Sequence, residues 1–205
     1  MTRWTKARLL ELERRLEAIR KACRPTTLAE VEHASRSPYA LLVSCVTGSI
    51  LYLFPARPWA LALVPLVLFL RMALNAIDGM LAREHGMKSR LGAVLNELGD
   101  VVSDAALYLP FAAVPGVSAQ WVVLVVVTGI LAEMAGVVAV QVGASRRYDG
   151  PFGKSDRAFL FGLIALLLAL GVAPGAWLDV LLPAACALGI LTVVNRARAA
   201  LRESA

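Results

Sequence analysis

The stretch NAIDGMLAREHGMKSRLGAVLNELGDVVSD, residues 75–104, sets Asn75, Asp78, Asn96, Glu97, Asp100 and Asp104 at short, regular intervals beside segments that are almost wholly apolar. With 3.6 residues per turn, Arg71, Asn75, Asp78 and Ala82 fall on one face of a helix, since their separations are four, three and four. Asn96, Asp100 and Asp104, each four apart, mark a face of the next helix. Two polar stripes joined by EHGMKSR can therefore face each other across a cleft.

Outward from this stretch the chain is apolar. Of its 205 residues 59% are hydrophobic and 18% charged, with a mean hydropathy of +0.68, more apolar surface than a soluble domain could hide. Runs at roughly 39–54, 58–77, 94–114, 118–142, 158–173 and 176–194 approach the ~20 residues that cross hydrocarbon as a helix. The expectation is an all-α, polytopic membrane protein with six transmembrane helices, the first and fifth short enough to borrow flanking residues or tilt.

Lys and Arg number nine before the first run, one in the first loop, three in the second, none in the third, four in the fourth, none in the fifth and three in the tail. The positive-inside rule then puts both termini and the second and fourth loops in the cytoplasm, with the chain in the plasma (inner) membrane. The net charge of +6 accordingly reports orientation and contact with anionic lipid, and argues against a nucleic-acid partner. Turns AVPGVS and GVAPGAW fall on the far side, with Trp121 and Trp177 near the interface.

Residues 1–37 form a separate cytoplasmic segment ahead of a membrane domain at 38–205. Leu9, Leu12, Leu16 and Ile19 recur at helical spacing among basic residues, suiting a helix on the lipid surface or one packed on a partner. After Pro25, Thr27 and Glu30 form a capping box that opens a juxtamembrane helix. Cys23, Cys45 and Cys186 have no metal-type spacing, and the charged N-terminus is unlike a cleavable signal.

An ionisable side chain at the bilayer centre costs at least about 2.5 kcal/mol, so a cluster of them needs partners. One answer is interhelical pairing, for instance Arg71 with Asp104 or with Glu133 of the fourth run. The other is a hard divalent cation, which takes several oxygen ligands in register.

The pattern D-x-x-D-G-x-x-A-R, eight residues, G-x-x-x-D-x-x-x-D resembles the signature of the CDP-alcohol phosphotransferases, membrane enzymes of phospholipid synthesis. Here Asp78-Gly79, Ala82-Arg83, the eight residues EHGMKSRL, Gly92 and Asp100 match, and Asn75 and Asn96 stand where two aspartates belong. The resemblance implies Mg2+ or Mn2+ held by Asn75, Asp78, Asn96 and Asp100, with Asp104 or, less well placed, Glu97 available to supply a missing carboxylate. It implies Asp100 as base toward an acceptor hydroxyl, with Asp78 beside it in catalysis. Gly79, Ala82, Arg83 and Gly92 would lie near the nucleotide and its phosphates, and Arg71 could add positive charge there. The donor would be CDP-diacylglycerol, the leaving group CMP, and the assembly a homodimer.

In the fourth loop, GASRRYDGPFGKSDRAF, the cations Arg146, Arg147, Lys154 and Arg157 suit an acceptor phosphate, which favours glycerol 3-phosphate or an inositol phosphate; the positive-inside rule accounts for them equally. Two other classes remain: a CDP-lipid-binding protein of the same fold with altered or lost catalysis, and a transporter. The latter is disfavoured by the absence of Lys and Arg from the third and fifth loops.

Overall fold

Each of the six apolar runs gives an α-helix in the computed structural model, which describes residues 36–84 and 90–204 together with Arg14, and side chains for residues 39–73 and 93–204. The helices are α1 (Arg36–Leu53), α2 (Pro58–Glu84), α3 (Arg90–Tyr108), α4 (Ala119–Val138), α5 (Lys154–Ala169) and α6 (Ala176–Glu203). The segment expected at 1–37 lies almost wholly outside the described residues, as do residues 85–89. α4 with its 3-10 continuation, Ala119–Val142, and α6 are each long and apolar enough to cross a membrane. The apolar parts of α1 and α2, Tyr39–Leu53 and Pro58–Ala73, are shorter.

Helix ends depart from the apolar runs where backbone chemistry intervenes. α3 stops at Tyr108 and passes into a 3-10 turn, Leu109–Ala113, because Pro110 has no N–H with which to continue the ladder. The tightened turn after α4 ends on Gly143 at φ +87°, a conformation glycine adopts without a Cβ clash. α5 starts four residues before the apolar run: the Asp156 carboxylate accepts from the Gly153 N–H at 2.8 Å, capping the helix ahead of its apolar face.

The helices pair chiefly α4 with α6, α1 with α3 and α2 with α5. Tyr108 and Phe111 pack on Phe161 at ring-centroid distances of 4.3 and 5.1 Å, joining α3 and its 3-10 turn to α5 in the centre of the apolar core. Gly48 lets α1 lie against the α3 backbone. A Cβ there would overlap the Ala106 carbonyl oxygen and stand 3.4 Å from Pro110 Cγ. Gly48→Ala is expected to cost about 1–3 kcal/mol through overpacking. Thermal unfolding in detergent reads this, and an unchanged melting temperature would show that α1 and α3 can separate without loss.

α2, α4 and α6 finish, and α3 and α5 begin, around one set of charged side chains; the turns at 54–57 and 114–118 contain none but Arg57.

Candidate active site

Opposite charges alternate through this end of the bundle. Arg71 of α2 donates from Nη2 to Asp104 Oδ1 of α3 at 3.1 Å and stands 4.0 Å from Asp100 Oδ1. Asp104 Oδ2 is 3.5 Å from Arg157 Nη2 of α5, which also donates to Glu133 Oε1 of α4 at 3.0 Å. Glu133 Oε2 accepts from Arg196 of α6 and Arg146 of the 143–153 segment, both at 3.2 Å. Arg146 in turn holds Glu97 of α3 through two bonds of 2.6 Å. Every helix except α1 joins the chain, and Arg71, Asp104, Glu133, Arg157 and Arg196 are buried. Pairing offsets part of the desolvation cost that each charge would carry in full if it were buried alone.

Local sequence makes the chain of charges possible. Gly129 of α4 leaves the groove through which Arg157 reaches Glu133: a Cβ on Gly129 would stand 2.8 Å from Arg157 Cδ. The 143–153 segment is held onto α6. Phe152 N–H donates to Thr192 Oγ1 at 3.0 Å, the Arg196 side chain donates to the Asp149 carbonyl at 3.3 Å, and Gly150 at φ +125° lies against Thr192 where a side chain would collide. At the end of α6, Glu203 accepts from Ser145 N–H at 2.9 Å, from Ser145 Oγ at 3.0 Å and from Arg147. The hydrogen bond from Arg147 keeps the Asp149 carboxyl below the usual carboxylate range.

The charges surround a cavity of about 340 Å³ lined in part by Asn96, Glu97, Asp100, Arg146, Lys154 and Arg196. Lys154 Nζ reaches Asp100 Oδ2 across it at 2.5 Å. A smaller neighbouring cavity, about 160 Å³, lies between α2 and α5 and includes Arg71, Asp104 and Lys154 in its wall. Burial works against the charge on Arg146, but its hydrogen bonds to Glu97 outweigh this and raise its pKa above the ordinary arginine value.

The residues expected in the site part into groups. Asn96, Asp100, Arg146 and Lys154 share the larger cavity. Asp104 lies at the back of it between Arg71 and Arg157, the pairing anticipated for Arg71, and Arg157 is buried behind the wall. Arg147, adjacent to Arg146 in sequence, turns the other way to Asp149 and Glu203. Glu97 joins Asn96 on the cavity wall, although 100° separates them around the helix, because Arg146 draws its carboxylate in. Asn75, Asp78, Gly79, Ala82, Arg83 and Gly92 fall within α2 and α3, and their side chains lie outside the described residues. Sequence reasoning missed Arg196, counted only as a charge of the cytoplasmic tail. The four-residue step from Thr192 to Arg196, which puts both on one face at the end of the apolar stretch 180–194, was the signal that could have found it.

Among the described residues no three carboxylate, histidine or cysteine groups converge to hold a metal. Asp100 and the exposed Asn96 nevertheless present oxygen atoms to the larger cavity, the donor chemistry that a hard cation takes. An all-α chain with two helices fit to span a bilayer, and with carboxylates and guanidinium groups around a cavity at its helix ends, has the makings of a membrane enzyme acting on charged headgroups. The comparison with known families agrees: the model of the CDP-alcohol phosphatidyltransferase family matches residues 39–192, and the chain belongs to that family. It is thus a membrane transferase of phospholipid synthesis. It is also similar to "Inner membrane protein YnbA" of Escherichia coli (strain K12), with 49% identity over 166 residues, which are 81% of this chain and 82% of that protein.

Proposed function

We propose that the chain transfers a phosphatidyl group from CDP-diacylglycerol to the hydroxyl of a phosphorylated alcohol, glycerol 3-phosphate or an inositol phosphate, and releases CMP. It does so at the cytoplasmic leaflet of the inner membrane, as a homodimer of six-span subunits, with residues 1–37 as a cytoplasmic segment and 38–205 as the membrane domain. The observation that carries this reading is the convergence of Asp100, Lys154, Arg146 and Arg196 on one cavity beside Asn96 of the motif.

In the reaction the acceptor oxygen forms a bond to the lipid-bearing phosphorus, the bond from that phosphorus to the CMP oxygen breaks, and the hydroxyl proton passes to Asp100. Lys154 positions the Asp100 carboxylate at the cavity through their ion pair. Asp78 and Asp100, with the amide oxygens of Asn75 and Asn96, would hold Mg2+ or Mn2+. The chemistry such a cation would supply there is neutralisation of the pyrophosphate charge. Each asparagine contributes an oxygen without a charge, so Asp78 and Asp100 carry the site's anionic character. Arg71 supplies further positive charge from the smaller cavity; its buried Nε has no hydrogen-bond partner among the described residues and is available to a phosphate oxygen. Gly79, Ala82, Arg83 and Gly92 complete the nucleotide side, and Asp104 serves the site by fixing Arg71.

The test is CMP release from CDP-diacylglycerol by the purified protein with Mg2+ or Mn2+ across a panel of phosphorylated and neutral alcohols. Release that depends on a phosphorylated acceptor supports the reading. Release with neutral alcohols alone would remove the acceptor assignment. CDP-lipid binding without release from any acceptor would favour a lipid-binding protein, the reading that Asn75 and Asn96 keep open.

A further inference from the structure

Arg146 has its hydrogen-bonding capacity largely taken up within the protein. Its Nε and Nη2 donate to the two oxygens of Glu97, both at 2.6 Å; Nη2 also reaches Glu133 at 3.2 Å and Nη1 the Arg147 carbonyl at 3.3 Å. The Tyr148 ring lies against the guanidinium, 4.2 Å from its carbon to the ring centroid. The Nε/Nη2 edge held by Glu97 is a two-donor edge that a phosphate also takes. The two carboxylates on Arg146 differ in access: the Glu97 side chain is 33% exposed, that of Glu133 10%. Glu97 can leave into water at small cost, whereas Glu133 is held by two further arginines. Lys154 and Arg196 flank the same space. Acidic residues outnumber basic ones on the cavity wall, with Glu97, Asp100, Asp104, Glu133 and Asp156 against Arg146, Lys154 and Arg196. Withdrawal of Glu97 lessens this negative field and frees the two-donor edge of Arg146 for a phosphate dianion.

We propose that Glu97 determines acceptor specificity by occupying the phosphate position on Arg146, and that a phosphorylated acceptor binds by displacing it. This rests on the reading of a phosphorylated acceptor given above. Glu97 acts as an internal competitor: acceptors with a phosphomonoester can exchange with it, while alcohols without an anionic group leave the Glu97–Arg146 pair closed. The arrangement also keeps Arg146 from trapping other anions, such as headgroups of the surrounding lipid, with full affinity.

The experiment is titration calorimetry of glycerol 3-phosphate into the full chain in detergent, without CDP-lipid or divalent metal, for the unmodified protein, Glu97→Gln and Glu97→Gln/Arg146→Lys. Removing a competitor that closes the site about nine-tenths of the time raises apparent affinity about tenfold, so Glu97→Gln should bind that much more tightly. The double variant should lose the gain. Equal or weaker binding by Glu97→Gln, with the unmodified protein binding measurably, overturns the proposal and leaves the phosphorylated-acceptor reading standing. If neither glycerol 3-phosphate nor inositol phosphate binds any of the three, while a neutral alcohol supports CMP release, that reading fails and the proposal with it. Should Glu97→Gln not fold, a structure of the unmodified protein with glycerol 3-phosphate decides. Arg146 bonded to phosphate with Glu97 released upholds the exchange; Glu97 still on Arg146 refutes it.

Discussion

Asp100→Asn is expected to lower CMP release by about a thousandfold, within the range that a positioned general base contributes. The substitution preserves shape and leaves an amide oxygen for Lys154, so the ion pair becomes a weaker hydrogen bond while the bundle stays folded. It removes the proposed proton acceptor and one of the two aspartates at the core of the motif in a site that already carries Asn75 and Asn96. With the charge reduced to that of Asp78 alone, little would remain to hold a divalent cation or take the hydroxyl proton. A steady-state assay, with melting behaviour recorded alongside, reads both consequences. Retention of more than a tenth of the rate would move the base elsewhere, Glu97 and Asp104 being the nearest carboxylates on the same helix.

Glu133→Gln should have the largest effect on the fold. Three guanidinium groups, Arg146, Arg157 and Arg196, converge on this carboxylate from the 143–153 segment, α5 and α6. A neutral amide leaves them facing one another with Glu97 and Asp104 as the remaining anions, and loss of one partner from a buried pair typically costs about 3–5 kcal/mol. Unfolding in detergent should shift by that amount, and the charge cannot be replaced from water because the Glu133 side chain is only 10% exposed. By contrast Glu97→Gln, whose side chain is one-third exposed, should be mild in stability. If the two variants unfold alike, the arginines are neutralised by something other than Glu133.

The polar stripes were legible because four-residue spacing survives any packing arrangement. Asp100 and Asp104 on α3, and the continuity of α2 through Arg71 and Asn75 to Glu84, follow from helical geometry alone. The six helices were legible from apolarity; Pro110, Gly143 and Gly153 shift some ends through the backbone, and α2 and α6 run on past their apolar stretches to Glu84 and Glu203. Pairing was less so. Arg71 could be assigned to Asp104 or Glu133 on chemistry, and the crossing of α2 and α3 decided for Asp104. Arg146 and Arg147 are neighbours of one type, yet one lines the cavity and the other braces the surface, a difference fixed by how the segment lies on α6. Arg196 was hidden because its charge fitted the orientation rule so well that no further explanation was needed.

The attachment of residues 143–153 to α6 bears on how the protein comes into being. Thr192, Arg196 and Glu203 are made some forty to sixty residues after the segment that they fasten. A nascent chain that ends at α5 therefore holds the partners of the Arg146 side chain but lacks the residues that fasten the 143–153 segment, and Glu133 still lacks the arginine of α6. Assembly of this wall of the cavity waits for the last helix to join the bundle. A chain that ends before α6 is therefore expected to leave this side of the cavity unbuilt.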